Sequence, residues 1–217
     1  MYFSYISHQK ESAKKIIQKD QFNEVNFIAG VDVAYVKNSN HLVAAVVILE
    51  TNTLKVIDHS VYKDIARFPY IPGLFSYREL PPLIKAYKNL KIKPDIIVVD
   101  GHGIAHPRRF GLACHLGLEL NVPTIGCAKS KLIGKYQDPS VKKGSQSNLT
   151  DNGETIGRVV RTQTNIKPVF VSIGHKISLE SAVDWILKVS PNYRLPETTR
   201  LADQQVKLGV KSSNFNN

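Results

Sequence analysis

Two aspartates stand where a folded chain seldom places a charge. Asp32 lies inside the apolar run FIAGVDVAY (27–35), and Asp100 closes the run DIIVVDG (95–101). A carboxylate on a buried strand must be paired, hydrogen-bonded or bound to a cation, because its isolated burial costs several kcal/mol or forces protonation. A salt bridge or a turn cap explains either residue alone. Together the two residues favour a site, and Mg²⁺ is the usual cation that holds paired carboxylates in a phosphate-handling protein.

Three further candidates are weaker on their own. Glu79 begins a predicted helix and Asp203 lies on the last one, where an acid is usually an exposed partner of solvent or of the helix dipole. His106 lies in DGHGIAHPRRFGLACHLG (100–117), whose turn could face an anion at a helix N-terminus. His106 could then act on a phosphate oxygen or leaving group, or simply cap its own turn. The segment fails as a dinucleotide fingerprint, because the third glycine position is His106, and as a zinc helix, because no Glu follows His102.

The stretch FPYIPGLFSY (68–77) combines aromatic residues with two prolines that restrict the loop. Such a loop most often packs against the core. On a basic protein it could instead be a wedge, because a rigid Tyr70-Ile71 tip can enter a base stack and fill the gap left by a displaced base.

The charge balance points to a phosphate-binding surface. The chain has 29 Lys and Arg against 18 Asp and Glu, a net charge of +11. Its hydrophobic fraction of 42% is ordinary for a globular protein and excludes disorder for most of the chain. A basic face is typical of nucleic-acid binders, although an idle basic surface is the alternative. We expect one domain over residues 1–217, with a basic loop and hairpin insertion at 129–167 and a short polar tail at 211–217.

The two cysteines, Cys114 and Cys127, lie in apolar stretches and form neither a disulfide framework nor a CxxC metal site. Buried free thiols in a reducing compartment are the preferred interpretation. The N-terminal residues contain no apolar signal sequence, and the longest aliphatic run, LVAAVVIL (42–49), is too short to span a membrane. We therefore expect a cytoplasmic protein without a membrane partner.

The elements that must position these residues form an α/β pattern. Three β-branched runs at 27–35, 42–50 and 54–62 predict an antiparallel meander. Buried strands at 95–101, 122–128 and 168–174 follow, with helices predicted within 78–91, 108–120, 178–189 and 195–209 and a short surface helix at 12–19. Strand, helix and strand in this order imply a parallel crossover. The first strand and the first parallel strand are then central neighbours, which brings Asp32 and Asp100 together.

Six ordered motifs carry a resemblance that covers residues 27 to 207. They are IAGVDVAY, FPYIPGLFSYRE, KPDIIVVDGHGIAHPRRFGLACHLG, VPTIGCAKSKLIG, PVFVSIGH and RLPETTRLAD. With these motifs the sequence resembles the endonuclease V family of deoxyinosine-specific repair nucleases. The resemblance implies an RNase H-like fold, a mixed sheet of three antiparallel strands followed by parallel strands flanked by helices.

The resemblance implies six catalytic positions: Asp32, Glu79, Asp100, His106, Lys129 and Asp203. Asp32, Glu79 and Asp100 match the acidic metal-binding residues of the family. Asp203 falls where some members carry His, so it supports a second metal or its water rather than ligating firmly. His106 and Lys129 match positions close to the scissile phosphate.

The resemblance also assigns Tyr70, Ile71 and Pro72 to a strand-separating wedge. One departure is His102, where other members often carry Gln, which puts a local hydrogen bond in doubt. The residues that line a base pocket do not follow from the sequence, and Gly73, Gly101 and Gly126 are the candidates for its backbone wall.

The implied reaction is Mg²⁺-dependent hydrolysis, with Mn²⁺ able to substitute, at the second phosphodiester bond 3′ to deoxyinosine. The implied partner is DNA that contains deoxyinosine. The protein is expected to act as a monomer. One alternative is an endoribonuclease that acts on inosine in RNA. The other is a non-catalytic binder of inosine or branched DNA, which clustered carboxylates disfavour because a pure phosphate binder gains nothing from them.

Overall fold

The structure is a computed structural model that describes residues 2–212. The described residues form five helices and eight strands. In chain order these are α1 (Phe3–Ala13), β1 (Phe27–Tyr35), β2 (His41–Glu50), β3 (Val56–Ile65), α2 (Ser76–Lys88), β4 (Ile96–Val99), α3 (Leu112–Leu120), β5 (Thr124–Ala128), β6 (Gln146–Asp151), β7 (Glu154–Val160), β8 (Val169–His175), α4 (Leu179–Lys188) and α5 (Glu197–Lys211). Lys211 ends α5, and the rest of the tail expected at 211–217 lies, from residue 213, outside the described residues.

The eight strands form one sheet in the order β3-β2-β1-β4-β5-β8-β7-β6. The antiparallel meander of β1, β2 and β3 is confirmed, and β4 and β5 follow it in parallel, as expected from the crossovers through α2 and α3. The next strand, β8, differs from the expectation because it pairs antiparallel with β5. The segment between β5 and β8 contains the β6–β7 hairpin rather than a crossover helix, so the chain returns in the opposite direction.

The central strands are buried on both faces, as their continuous apolar sequences predict. Every residue of β4 is fully buried, and β2 is buried from Leu42 to Leu49. One core cluster joins the sheet to α2 and α3, and a second joins it to α4 and α5. Each large aliphatic side chain buried in this way contributes about 1.5–3 kcal/mol. The centre of the sheet, packed between the two helical layers, is therefore a rigid support for the residues that follow β4.

Helix α5 lies in direct backbone contact with β1. A Cβ atom added at Gly30 would come within 2.1 Å of the carbonyl group of Thr198, so only glycine permits this approach. The close packing explains how Asp203, at the middle of α5, comes within electrostatic range of Asp32 on β1.

The N-terminal helix expected at 12–19 is wrong in position, because α1 runs from Phe3 to Ala13. The buried side chains of α1 are the polar Gln9 and Ser12. The sequence therefore has no apolar periodicity that would indicate this helix. The segment after α1 is held by backbone contacts instead, since Ile17 accepts a 2.7 Å hydrogen bond from the Lys176 amide at the end of β8.

Candidate active site

Asp32 and Asp100 lie beside each other at the centre of the sheet. Val31 pairs in register with Val99, so the residues after them are neighbours on adjacent parallel strands. Burial, followed by the charge of Asp100, raises the pKa of Asp32 to about 7. The backbone amide of Val33 and the ammonium of Lys129 oppose this effect only in part. The predicted juxtaposition of the two aspartates is thus present in the structure.

Glu79 reaches the same region from the first turn of α2. Its side chain is 5% exposed, and its Oε1 accepts a 3.1 Å hydrogen bond from the Tyr35 hydroxyl. Burial raises the pKa of Glu79 well above its ordinary value, and the charges of Asp32 and Asp100 add to this shift. Tyr35 was missed at the sequence level, where the only signal was a tyrosine that ends the strand carrying Asp32.

Lys129 and Asp203 complete the charged group. The Lys129 ammonium donates to Oδ2 of Asp100. Burial lowers the pKa of Lys129, but the bond to Asp100 outweighs it and holds the pKa above its ordinary value. Asp203 faces the same group and accepts a 2.6 Å bond from Lys207. The structure therefore brings together five of the six expected catalytic residues: Asp32, Glu79, Asp100, Lys129 and Asp203.

The acidic group suits a divalent cation without forming a complete cage. In residues 2–212 no three His, Cys, Asp or Glu side chains are already arranged to hold a metal ion. Within the same residues, Asp32 and Glu79 form no ion pair. The charge of Asp100 raises the pKa of both carboxyl groups, and the charge of Asp32 also raises that of Glu79. Carboxylate oxygens are the donors that Mg²⁺ prefers. The residues present fit such a cation, because its charge would offset their mutual repulsion.

His106 is placed differently from the acidic group. Its buried ring accepts a 3.2 Å hydrogen bond at Nδ1 from the Arg108 amide and is hydrogen-bonded to the backbone of Gly73. Burial, followed by the charge of Arg108, lowers its pKa to about 4. A neutral ring that accepts at Nδ1 carries its one proton on Nε2, and its contact with Gly73 supports the loop at that residue.

His102, the departure noted in the sequence, has a clear structural role. Its Nε2 lies 3.1 Å from the carbonyl oxygen of Ser130. Because a carbonyl oxygen only accepts, Nε2 is the donor in this contact, and burial lowers the pKa of the ring. The contact ties the turn after β4 to the segment that carries Lys129.

A cavity of about 360 Å³ opens beside Asp100, between the loop of residues 70–75, named the wedge loop after its expected role, and the turn after β4. Fourteen residues line it: Gln9, Tyr70, Pro72, Gly73, Phe75, Ser76, Asp100, Gly101, His102, His106, Phe110, Gly111, Leu112 and Leu132. Of the three glycines expected at a base pocket, Gly73 and Gly101 line the cavity. Gly126 does not, because it packs against the backbone of residues 101–103.

The expected wedge forms the rim of this cavity. Tyr70 is 69% exposed and its ring lies 5.9 Å from that of Phe75. Pro72 is also exposed, whereas Ile71 is half-buried. A large aromatic side chain that is left in solvent at a cavity mouth is available to contact a base.

Five of the basic residues between 129 and 167 have two different roles. Lys143 donates to the carbonyl oxygens of Ser190 and Pro191, and Arg161 donates to the carbonyl oxygens of Pro139, Ser140 and Ile166. These two side chains hold the insertion together. Lys131, Lys135 and Lys142 are exposed on its surface, where they remain accessible to a phosphate backbone.

Cys114 and Cys127 are free and buried. None of the helices in the described part of the chain is long and apolar enough to cross a membrane.

Comparison with known proteins gives consistent results. The family model for Endonuclease V matches residues 10–204. The Endonuclease V of Dictyoglomus thermophilum is 48% identical over 207 residues, which cover 93% of this chain and 90% of that protein.

Solved structures show the same fold. The crystal structure of Endonuclease V from Streptomyces avermitilis superposes with a TM-score of 0.92 at 40% identity, over 96% of this chain and 93% of that one. Ciona intestinalis Endonuclease V, in complex with a 24mer DNA containing an inosine followed by a ribo-adenosine, superposes with a TM-score of 0.83 at 29% identity, over 96% of this chain and 97% of that one. The RNase H-like fold implied by the sequence motifs is confirmed.

Proposed function

The chain belongs to the endonuclease V family and is an endonuclease, and from this premise we propose that it nicks DNA at the second phosphodiester bond 3′ to deoxyinosine, leaving 3′-hydroxyl and 5′-phosphate ends. The observation that carries the proposal is the half-buried Asp32–Asp100 pair, with Lys129 beside it, of which Asp100 lines a cavity rimmed by Tyr70. The Ciona relative bound to inosine-containing DNA supports the choice of substrate.

We propose that Asp32, Glu79 and Asp100 hold Mg²⁺, with Mn²⁺ able to replace it. When bound, the cation stabilises charge on the phosphate and lowers the pKa of an attached water. Asp203 faces the group from α5 and acts on Asp32 through its charge rather than through a direct contact. Tyr35 keeps Glu79 oriented toward the aspartates through its hydroxyl.

Lys129 acts on the scissile phosphate in this proposal. Its ammonium already lies against Asp100, and almost half of its side chain remains exposed. A phosphate oxygen that enters the site therefore meets a fixed positive charge next to the carboxylates. A preorganised charge of this kind stabilises the pentacoordinate transition state without reorganisation at the moment of reaction.

The cavity would receive the displaced hypoxanthine while the Tyr70 ring fills the gap in the stack. Hypoxanthine presents an O6 acceptor and an N1–H donor, which distinguish it from adenine, and lacks the 2-amino group of guanine. A pocket with backbone groups at Gly101 can read these differences, since an unpaired buried polar group penalises the wrong base.

The test is cleavage of matched oligonucleotides with Mg²⁺. We expect a single nick in duplex DNA that contains one deoxyinosine and no cut in the same duplex with deoxyadenosine. Absence of cleavage by the wild-type chain would contradict the proposal. An RNA strand with one inosine forms the third arm, because the Ciona complex has a ribo-adenosine after the inosine. A strong preference for the RNA strand would contradict the DNA-repair proposal and indicate an inosine-directed ribonuclease instead.

A further inference from the structure

The carbonyl oxygen of Gly73, at the base of the wedge loop, is held by side chains from two distant segments. Nε2 of Gln9, on α1, donates to it at 2.9 Å. Nη2 of Arg108, in the turn before α3, donates to it at 2.6 Å. The ring of His106 is hydrogen-bonded to the same backbone. Two side-chain donors on one carbonyl, with the His106 ring beside them, fix the orientation of that peptide group.

Gln9 is the residue that links these contacts. It is 1% exposed, although most of α1 is exposed to solvent. Its Oε1 accepts from Nε of Arg108, and its Nε2 also lies 3.4 Å from the carbonyl oxygen of Phe110. All polar atoms of the amide are therefore engaged, and a buried amide with satisfied partners orders the groups around it. Gln9 stands one residue before the stretch that matches the family model.

Gly73 itself requires this arrangement. Its φ of +78° lies in the left-handed region that favours glycine. A Cβ atom at this position would lie 2.5 Å from Nη2 of Arg108, so the guanidinium occupies the space that any other side chain would need. The loop conformation and the position of Arg108 thus depend on each other.

We propose that Gln9 is a positioning residue for base selection, which acts through Arg108 and the Gly73 carbonyl to hold the wedge loop in one conformation. The proposal deepens the function proposed above and rests on it. Gln9 and Gly73 both line the cavity, and the loop between Tyr70 and Gly73 forms its rim. A pocket discriminates between similar bases only if its wall does not move to accommodate the wrong one.

The key variant is Gln9→Glu. A carboxylate still accepts from Arg108, but it presents an oxygen instead of an N–H to the Gly73 carbonyl. Gln9→Met removes both contacts at similar volume. Glu11→Gln is the matched control, because it changes an acid to an amide on the same helix at an exposed position, where the carboxylate pairs with Lys14. Thermal unfolding of each variant establishes that it is folded.

Two measurements decide the proposal. Hydrogen exchange of the free protein is expected to rise about 10-fold at the Leu74 amide, which donates to the Ile71 carbonyl within the wedge loop, in both Gln9→Glu and Gln9→Met, since a lost buried hydrogen bond changes an opening equilibrium by about that factor. The second measurement is binding to single-stranded oligonucleotides in EDTA, monitored by fluorescence anisotropy. In the Gln9 variants the preference for inosine over adenosine is expected to fall about 10-fold, while the affinity for the adenosine oligonucleotide stays within about twofold of the wild type.

The control Glu11→Gln should leave both quantities unchanged. Unaltered exchange at the loop in both Gln9 variants would overturn the positioning role. Altered exchange with an unchanged inosine preference would overturn the role in base selection. A wild-type chain with no preference for inosine would contradict the proposed function instead, and the exchange measurement would still decide whether Gln9 holds the loop.

Discussion

Replacement of Asp32 by Asn should stabilise the protein in the absence of divalent cations. Burial, together with the charges of Asp100 and Asp203, raises the pKa of Asp32 from its ordinary 3.8 to about 7. Between these pH values the folded protein retains a proton that the unfolded chain has released, so the free energy of unfolding falls as the pH rises through this window. Above pH 7 the full penalty is present, and an uncharged Asn does not carry it.

The magnitude follows from the two pKa values. At about 1.36 kcal/mol per pKa unit, the difference between about 7 and 3.8 corresponds to roughly 4 kcal/mol at pH 8 and to roughly 2 kcal/mol at pH 5. We expect the free energy of unfolding of Asp32→Asn to exceed that of the wild type by about these amounts. The Asn side chain has nearly the same volume and still accepts from the Val33 amide, so packing adds little to the difference.

The assay is urea unfolding of wild type and variant at pH 5 and pH 8 in EDTA, repeated at pH 8 with Mg²⁺. The cation should stabilise the wild type and narrow the gap at pH 8, because it offsets the charge that Asn has removed. Asp184→Asn, at an exposed position on α4, is the control and should change neither value. A variant less stable than the wild type at pH 8 in EDTA, or an equal gap at both pH values, would refute the reasoning.

Three further predictions test other parts of the structure. Tyr70→Ala should leave the free energy of unfolding within about 0.5 kcal/mol, because the side chain is exposed, and should reduce the preference for inosine in a binding assay; an unchanged preference would remove the wedge role. Arg109→Ala should lower the free energy of unfolding by about 1 kcal/mol and speed amide exchange in the β6–β7 hairpin, since Arg109 pairs with Asp151 and Glu154 at 2.9 and 2.7 Å. Amide protection in the hairpin that stays at the wild-type level would contradict this. Gly30→Ala should cost about 3 kcal/mol or more, because its Cβ atom meets the backbone of α5, and near-wild-type stability would show that α5 can shift without penalty.

The central part of the fold could be predicted from the sequence because its signals are local. Continuous β-branched runs identify β1 to β5, and chain order with crossover helices places β1 next to β4. The neighbourhood of Asp32 and Asp100 follows from that order alone. The direction of β8 could not be predicted in the same way, because it depends on where the β6–β7 hairpin adds to the sheet, and the sequence of a hairpin does not specify its neighbour.

The site was predicted only as far as its residues are unusual. A buried carboxylate is recognisable in a sequence, but its partners depend on tertiary contacts, so the bond between Tyr35 and Glu79 was missed. Gln9 gave no signal, since a glutamine on a polar helix is ordinary until the fold buries it. The role of His106 at the phosphate stays a prediction, and the contacts of its ring with Arg108 and Gly73 had no signal in the sequence.

The most direct test of the central claim is single-turnover cleavage of a deoxyinosine duplex by wild type and Asp100→Asn across a Mg²⁺ titration, with binding measured in parallel. Asp100 lies beside Asp32 and Lys129, so we expect its loss to slow cleavage by about 10³-fold or more while affinity for the duplex stays within about threefold. The wild type should cut once, at the second phosphodiester bond 3′ to the deoxyinosine. A variant that cuts at the wild-type rate at every Mg²⁺ concentration would contradict the assignment of the carboxylate pair as the centre of the reaction.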